Sequence, residues 1–264
     1  PAEISKSVFA HIPIVGDARN ILQSLTVAIK KLLEKQEMAD RGSWSAQIEE
    51  WKKKCPLSYR QGDTIKPEYV VEQIYELTKD RETVMTTGVG QNQMWAAQYY
   101  KVTKPRTFIS SGGLGTMGFG LPAAIGAQFG RPDALVFDID GDGSFQMVSQ
   151  DLATAVYNKL PINIAIMNNG YLGMVRQWQE LFYKRRYSQV DLAVGTPDFV
   201  KLAEAYGAKG LRACHPDEVR SVLGEAIATD GPVVIDFLVE REENVFPMVA
   251  PGAPISQMIG GEEE

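Results

Sequence analysis

The stretch from Gly141 to Tyr171 constrains the fold of this chain more than any other. It begins with Gly-Asp-Gly-Ser at 141–144 and ends with Asn-Asn-Gly-Tyr at 168–171. Apolar runs with the length of buried strands, residues 134–140 and 162–167, lead into these two segments. Between the runs, residues 150–158 have the pattern of a crossover helix, which Pro161 limits. The stretch is therefore predicted to be a βαβ unit of a parallel sheet.

Each strand of this unit ends in an oxygen-bearing side chain. Asp142 follows the first strand and Asn169 follows the second. Parallel strands bring their carboxyl ends to one edge of the sheet, where open α/β sheets bind ligands. A carboxylate and an amide oxygen at that edge suit a hard cation such as Mg²⁺, which leaves its other positions to phosphate and water. An Asx turn and a helix cap are the structural alternative for the same two residues.

Strand and helix patterns alternate over most of the remaining chain. This alternation predicts an α/β fold with a doubly wound, mostly parallel sheet flanked by helices. Strands are predicted at residues 83–87, 107–109, 134–140, 162–167, 210–213 and 232–239. Helices are predicted at residues 68–78, 93–100, 120–130, 150–158, 172–182, 197–206 and 216–228.

The N-terminal residues do not follow this alternation. A short strand at 10–15 and an amphipathic helix at 21–33 are too little for a domain, so residues 1–40 are interpreted as the remnant of one. Residues 41–65 are predicted to be a connecting helix and a linker. The main domain is then 66–264, and its end, from Val245 onward, is predicted to be an irregular tail because of its proline and glycine content.

Composition excludes several classes of function. The net charge of −6 argues against a nucleic-acid-binding surface, and the three consecutive basic residues at 184–186 are interpreted as a solvated loop. No apolar run reaches the length of a membrane-spanning helix, so no membrane partner is expected. Cys55 and Cys214 lie far apart and are predicted to be reduced thiols. No Ser-His-Asp or Cys-His constellation is found.

A glycine-rich segment offers a second way to bind phosphate. Residues 113–118 fit the pattern G-x-G-x-x-G between a predicted strand and a helix, and Asp138 and Asp140 follow about twenty residues later. That is the arrangement of a dinucleotide-binding fingerprint with its ribose-binding acid. It leaves unexplained why the two acids run directly into Gly-Asp-Gly. Both the cation and the dinucleotide interpretation remain open on these residues alone.

A resemblance favours the cation. The Gly-Asp-Gly segment, with Asn169 at a spacing of 27 from Asp142, resembles the thiamine diphosphate motif. Residues from about 66 to 255 resemble the diphosphate-binding domain of acetohydroxyacid synthase (acetolactate synthase, large subunit), and residues 1–33 resemble the end of that family's central domain. The matching stretches are residues 87–97, 111–124, 173–178 (Gly-Met-Val-Arg-Gln-Trp) and 247–251.

The resemblance implies a thiamine-diphosphate-binding fold and a carboligase. Such an enzyme decarboxylates pyruvate and joins the product to pyruvate or 2-oxobutyrate, in branched-chain amino-acid biosynthesis. The implied cofactors are thiamine diphosphate and Mg²⁺, with FAD in the full-length enzyme. The implied partners are small 2-oxoacids, other subunits of a homo-oligomer and a regulatory small subunit. The implied location is the cytoplasm of a bacterium, or the plastid stroma of a plant or alga.

The resemblance also assigns roles to residues of this chain. Asp142 and Asn169 would hold Mg²⁺ through their side chains, and Tyr171 through its backbone carbonyl. Met117 would prop the bent cofactor, and Trp178 would line the substrate channel; for each, a core position is the structural alternative. Gln91 is expected to contact the diphosphate and is included among the catalytic residues. The full set of expected cofactor-binding residues is Val89, Gly90, Gln91, Asn92, Gly115, Met117, Gly141, Asp142, Gly143, Ser144, Asn169, Tyr171, Gly173 and Met174.

The family activates its cofactor with a glutamate on an N-terminal domain, and nothing in residues 1–65 resembles that domain. The chain is therefore expected to be a C-terminal fragment without useful carboligase activity. Two alternatives remain: another thiamine-diphosphate-dependent decarboxylase or carboligase, and a non-catalytic, dinucleotide-binding module.

Overall fold

The structure, a computed structural model, describes residues 2–35 and 40–260. It divides into two compact units, residues 1–56 and 57–264. The predicted remnant at 1–40 and the predicted tail both extend into residues outside the described ranges. The division of the chain into domains near residues 40 and 65 stays a prediction. Within the described residues, no helix has the length and hydropathy needed to cross a membrane.

The first unit consists of two helices, α1 (Ala18–Leu33) and α2 (Gly42–Lys54). The side chain of Asp17 accepts a hydrogen bond from the backbone N–H of Asn20 at 3.1 Å and so caps α1. The apolar side chains of α1 are exposed, and neither helix contains a buried residue. The strand predicted at 10–15 is wrong: these residues form no strand, because the described part of this unit contains no neighbouring strand with which they could pair.

The second unit contains a six-stranded sheet with helices on both faces. Its strands are β1 (Thr83–Thr87), β2 (Phe108–Ile109), β3 (Leu135–Gly141), β4 (Ile162–Asn168), β5 (Lys209–Ala213) and β6 (Val233–Leu238). Its helices are α3 (Pro67–Thr78), α4 (Gln91–Tyr99), α5 (Gly120–Gly130), α6 (Asp142–Gln146), α7 (Leu152–Tyr157), α8 (Gly173–Phe182), α9 (Phe199–Tyr206) and α10 (Pro216–Ile227). The strand order is β2-β1-β3-β4-β6-β5 and every pair is parallel, which confirms the predicted α/β fold.

Successive side chains along the strands pack alternately into two separate hydrophobic layers. In β1, Val84 packs into the layer that contains buried residues of α5 and α9, and Met85 packs into the layer that contains those of α3, α4 and α10. In β4, Ile164 and Ala165 divide in the same way. Because both faces of the sheet are covered, β3, β4 and β6 are mainly apolar runs with a few buried polar residues, and this is why they were recognisable in the sequence.

The strand order creates a crevice at one edge of the sheet. The chain moves from β1 to β2 on one side, and then returns to place β3 on the other side of β1. Open α/β sheets bind ligands at such a switch, outside the carboxyl ends of the strands. In β1 the last residue, Thr87, pairs with Ile139, and Gly141 at the end of β3 pairs with Met167 of β4. The segments that follow these three strands therefore meet at one place.

Three local predictions differ from the structure. Helix α9 begins at Phe199 rather than Pro197, because Asp198 accepts hydrogen bonds from the backbone N–H groups of Val200 and Lys201 and acts as the cap. The crossover segment is a 3₁₀ turn at Ser149–Asp151 followed by α7 rather than one helix. The predicted irregular tail contains two paired strands, β7 (Met248–Val249) and β8 (Met258–Ile259), which are antiparallel.

Glu68 in α3 is a buried carboxyl group whose Oε2 has no hydrogen-bond partner among the described residues. Burial, with a further contribution from Glu243, raises the pKa of Glu68 to about 8. Because the folded chain binds this proton more tightly than the unfolded chain, the free energy of unfolding falls as the pH rises from about 4.5 to about 8. We expect Glu68→Gln to remove that decline, and to be more stable than the parent by about 1–3 kcal/mol at high pH.

Urea denaturation of both proteins at pH 4 and pH 9 measures this effect. The two proteins should be similar in stability at pH 4, where Glu68 is protonated in the folded and largely in the unfolded state. The difference should be present at pH 9. An identical pH dependence in both proteins would show that Glu68 does not titrate in this way.

Candidate functional site

A cavity of about 250 Å³ lies at the carboxyl ends of β1, β3 and β4. The structure brings all of the expected cofactor-binding residues to its wall, although they come from four separate segments of the chain. Their convergence follows from the parallel sheet, because consecutive crossovers return each strand end to the same edge. The residues are Val89, Gly90, Gln91, Asn92, Gly115, Met117, Gly141, Asp142, Gly143, Ser144, Asn169, Tyr171, Gly173 and Met174.

Asp142 is the charged group of this cavity. Its side chain is 1% exposed, and its Oδ2 has no hydrogen-bond partner among the described residues. Burial raises the pKa of Asp142 to about 7, although the neighbouring backbone N–H groups of Gly143, Asp142 itself and Gly170 act in the opposite direction. A carboxylate that is buried without a partner is costly to ionise, and a bound cation removes that cost.

Asn169 presents its side chain to the same cavity. Its Oδ1 accepts a hydrogen bond from the backbone N–H of Tyr171 at 3.0 Å, and its backbone carbonyl accepts one from Nε of Arg241 at 3.2 Å. The guanidinium of Arg241 also lies over the ring of Tyr171, at 4.4 Å from its centroid. Arg241 thus holds the turn that carries both Asn169 and Tyr171.

Two glycines allow the walls of the cavity to approach each other. A Cβ on Gly173 would lie 2.0 Å from Oε1 of Gln91, and one on Gly143 would lie 3.0 Å from side-chain atoms of Leu172 and Leu192. The Cε of Met117 is also 3.6 Å from that Gly143 position. Larger residues at these two positions would displace Gln91 or narrow the cavity beside Met117.

The side chain of Gln91 does not have a free N–H group to donate to a diphosphate. It is the first residue of α4, and its Nε2 donates to Oε1 of Gln177 at 2.9 Å and to the backbone carbonyl of Glu243 at 2.8 Å. Both of its side-chain N–H groups are therefore used within the chain. Its backbone N–H, like that of Asn92, belongs to the first turn of α4, where helices leave donors without an internal partner.

Met117 lies in the loop between β2 and α5, where the sequence places the glycine-rich segment. Gly118 has φ of +81°, and its backbone N–H donates to Oγ of Ser144 at 3.0 Å. The loop is thereby attached to the segment that follows β3. Met117 is half-buried and lines the cavity, as the resemblance led us to expect for a residue that props a ligand.

Trp178 does not line this cavity. It lines a second one of about 730 Å³, along one face of α8, with which the first shares Met174 and Val175. Its ring is 38% exposed and packs edge-to-face against Phe182, with 6.0 Å between centroids. Trp178 is therefore not a core tryptophan, and its role in a substrate channel stays a prediction.

Comparison with protein families shows to which family this chain belongs. The family described as "Thiamine pyrophosphate enzyme, C-terminal TPP binding domain" matches residues 88–237, more than half of the chain. The chain belongs to this family. Thiamine pyrophosphate is another name for thiamine diphosphate, so the resemblance seen in the sequence is confirmed at the level of the cofactor family. The matched residues begin directly after β1 and contain β3 and β4 in full, and hence all of the residues that line the cavity.

Several curated proteins are similar to this thiamine pyrophosphate domain over nearly its whole length. "Acetolactate synthase" of Mycobacterium leprae is 50% identical over 259 residues, which are 96% of this chain and 41% of the relative. "Acetolactate synthase catalytic subunit, mitochondrial" of Saccharomyces cerevisiae is 45% identical over 269 residues, 100% of this chain and 38% of the relative. "Acetolactate synthase isozyme 3 large subunit" of Escherichia coli is 44% identical over 262 residues, 98% of this chain and 45% of the relative. The chain thus spans about two fifths of the length of these relatives.

The dinucleotide alternative does not fit this thiamine pyrophosphate domain. The glycine-rich segment follows β2, an edge strand, whereas a dinucleotide fingerprint follows the strand beside the topological switch. Asp138 and Asp140 are fully buried, and Oδ1 of Asp138 accepts a hydrogen bond from Thr86. Neither carboxyl group can reach a ribose outside the sheet.

Sequence reasoning missed several residues of the site. Trp95, Met167, Leu172 and Val175 also line the cavity. Each belongs to a predicted helix or strand or lies beside a motif residue. A position in the hydrophobic core was enough to explain why each of them is apolar. Only the distance to the cavity distinguishes them, and the pattern of a single sequence does not contain it. Among the described residues, no cluster of three His, Cys, Asp or Glu side chains that could hold a metal ion is found.

Proposed function

We propose that the cavity binds thiamine diphosphate through Mg²⁺, held by Asp142, Asn169 and the backbone carbonyl of Tyr171. One observation carries the proposal: among the described residues, the buried Oδ2 of Asp142 has no hydrogen-bond partner, and Asp142 and Asn169 both line a cavity that all of the expected residues line. One carboxylate, one amide oxygen and one backbone carbonyl form an all-oxygen set. Such a set suits Mg²⁺, which takes its remaining ligands from phosphate and water.

The surroundings of Asp142 suit a diphosphate as well as a cation. The first turn of α4 presents the backbone N–H groups of Gln91 and Asn92 at the same edge of the sheet, where a helix favours negative charge. Gly90 precedes them with φ of +136°, a conformation that suits glycine, and its missing side chain leaves room for a phosphate to approach. Cation and helix end together would balance the charge of the diphosphate.

For the whole protein, we propose acetolactate synthase activity, with pyruvate and 2-oxobutyrate as substrates, because the similar curated proteins carry that name. Thiamine diphosphate supplies the carbanion-stabilising chemistry of such a reaction when it is bound. The chain contributes a site that orients the cofactor: Met117 props it, and the apolar walls exclude water. Trp178 at the approach would contact the incoming 2-oxoacid.

The remaining parts of the proposal concern the longer protein. FAD, the other subunits of a homo-oligomer and a regulatory small subunit belong there; the relative from Escherichia coli is named a large subunit. We propose a cytoplasmic location if the source is bacterial and a plastid location if it is a plant or alga. The relative from yeast is named mitochondrial, so the location follows the organism rather than the fold.

Isothermal titration calorimetry of this chain with thiamine diphosphate tests the cofactor site. We expect saturable binding in Mg²⁺, and at least about a 100-fold loss of affinity in EDTA, because the metal links Asp142 to the diphosphate. Thiamine without its diphosphate is the matched control and should bind far more weakly in either buffer. Binding of NADH that does not depend on Mg²⁺, with no binding of thiamine diphosphate, would contradict the proposal.

A further inference from the structure

Three buried side-chain amides form a continuous chain of hydrogen bonds that ends at the proposed cation site. They are Gln177 in α8, Gln91 at the start of α4 and Asn169 after β4, and each is at most 5% exposed. Nε2 of Gln91 donates to Oε1 of Gln177 at 2.9 Å, and Nδ2 of Asn169 donates to Oε1 of Gln91 at 3.3 Å. Of the three, only Gln177 does not line the cavity.

The backbone of Val245 fixes the orientation of Gln177. The backbone N–H of Val245 donates to Oε1 of Gln177, and Nε2 of Gln177 donates to the carbonyl of Val245, both at 2.9 Å. The amide therefore pairs with the main chain in both directions. Rotating it by half a turn would oppose oxygen to oxygen and N–H to N–H, and each buried group left without a partner costs about 1–3 kcal/mol.

The orientation of the Gln177 amide determines the orientations of the next two amides. Because Oε1 of Gln177 is an acceptor, Gln91 must present its Nε2 to it, and the second N–H of Gln91 is used by the carbonyl of Glu243. Oε1 of Gln91 is then the atom that faces Asn169, which must present its Nδ2 in turn. The Oδ1 of Asn169 is left for the backbone N–H of Tyr171 and for the cation.

We propose that Gln177 is a positioning residue, which acts through Gln91 to keep the oxygen of Asn169 directed to the metal. This assignment rests on the proposed function of the cavity. Gln177 itself contacts neither the metal nor the diphosphate. Residues that orient metal ligands in this way typically change metal affinity by about 10–100-fold when they are substituted.

The affinity for Mg²⁺ at saturating thiamine diphosphate, measured by calorimetry, tests the assignment. Gln177→Met keeps the volume of the side chain and removes both ends of the amide, and we expect it to weaken Mg²⁺ binding by about 10–100-fold. Gln128→Met is the matched control. Gln128 is also a buried glutamine, and it donates to the carbonyl of Ala134 and to two others near the amino end of β3. The Gln128→Met variant should lose stability but keep an Mg²⁺ affinity within about twofold of that of the parent.

Gln177→Glu separates positioning from stability. It keeps the acceptor oxygen for Gln91 and loses the donor to Val245, so it should lower the urea midpoint yet retain more Mg²⁺ affinity than Gln177→Met. It also provides the measurement if Gln177→Met does not fold. In a Gln91→Met background, the further loss caused by Gln177→Met should be less than about twofold, because the intermediate residue is already gone.

Three results would overturn the assignment. The first is an Mg²⁺ affinity in Gln177→Met that equals that of the parent. The second is a loss of Mg²⁺ affinity in Gln128→Met as large as that in Gln177→Met. The third is a double variant, Gln91→Met with Gln177→Met, in which the two losses of Mg²⁺ affinity add fully. In each of these cases the parent chain still binds thiamine diphosphate with Mg²⁺, and the proposed function stands. If the parent chain does not bind them, the proposed function falls and this assignment falls with it.

Discussion

Replacing Asp142 by asparagine is expected to abolish Mg²⁺-dependent binding of thiamine diphosphate while it stabilises the metal-free chain. Asparagine keeps the size of the side chain and one oxygen, but it removes the charge that holds the cation. We expect the apparent affinity for thiamine diphosphate in Mg²⁺ to fall by at least about 100-fold, which corresponds to ~2.7 kcal/mol. Calorimetry measures this loss.

The gain in stability comes from the same buried carboxyl group. The pKa of Asp142 is raised from 3.8 to about 7, so the metal-free chain loses stability as the pH rises through that interval. Each pKa unit corresponds to about 1.4 kcal/mol, which places the gain for Asp142→Asn at up to about 4 kcal/mol above pH 7. Near pH 3 the two proteins should be equally stable. Urea denaturation in EDTA at the two pH values measures the difference.

Asp138→Asn is the matched control for this experiment. Asp138 lies on β3, the strand that ends directly before Asp142, is fully buried, and has a pKa raised well above its usual value by burial and by Asp140. It accepts a hydrogen bond from Thr86 and does not line the cavity. This variant should change stability in the same direction and leave cofactor affinity within about twofold. Retained binding in Asp142→Asn, or an equal loss in Asp138→Asn, would show that Asp142 does not hold the cation.

The sheet and the proposed metal ligands could be predicted because each depends on short segments of sequence. A strand covered on both faces is mainly apolar, and Asp142 and Asn169 come directly after two such strands. Once the strands are parallel and adjacent, the meeting of their carboxyl ends follows from the topology. To predict the position of the cavity, little was therefore needed beyond β3, β4 and their order in the sheet.

The supports of the site could not be predicted in the same way. Arg176 and Gln177 are read as part of the apolar and polar pattern of α8, and nothing local shows that both are buried. They are buried because residues 242–245, about seventy positions later, lie against them. Contacts between segments so distant in sequence depend on the complete fold, as the pairing of β7 with β8 does.

The failed prediction of a strand at 10–15 has a related cause. An apolar run of that length is compatible with a strand, but a strand exists only if a neighbour accepts and donates its hydrogen bonds. Helix α1, by contrast, forms its hydrogen bonds internally and begins at a cap, so it was predictable from Asp17 and its own pattern. The helix was therefore easier to predict than the strand, because its backbone hydrogen bonds are local in sequence and those of a strand are not.

Arg176→Met is expected to cost about 3–5 kcal/mol of unfolding free energy, because it removes a buried cation from several acceptors at once. Arg176 is fully buried. Its Nη1 donates to Glu180 at 2.7 Å, and its Nη2 donates to the carbonyl of Glu243 at 3.0 Å and to Oδ1 of Asn244 at 2.6 Å. Nη2 also donates to the carbonyl of Glu242 at 3.1 Å. Without the guanidinium, the carbonyl of Glu242 and Oδ1 of Asn244 lose this donor, while the carbonyl of Glu243 keeps the one from Gln91 and Glu180 keeps the one from Asn244.

Arg185→Met distinguishes this effect from the loss of one ion pair. Arg185 contacts the same carboxyl group, Oε1 of Glu180, at 3.3 Å, but its side chain is 73% exposed. An exposed pair of this kind contributes at most about 1 kcal/mol, so this variant should remain close to the parent in urea denaturation. Limited proteolysis should cut Arg176→Met, and not Arg185→Met, faster within residues 242–260, because Arg176 donates to two backbone carbonyls of that segment. Equal stability losses in the two variants would mean that Glu180 alone, and not the backbone of 242–244, accounts for the role of Arg176.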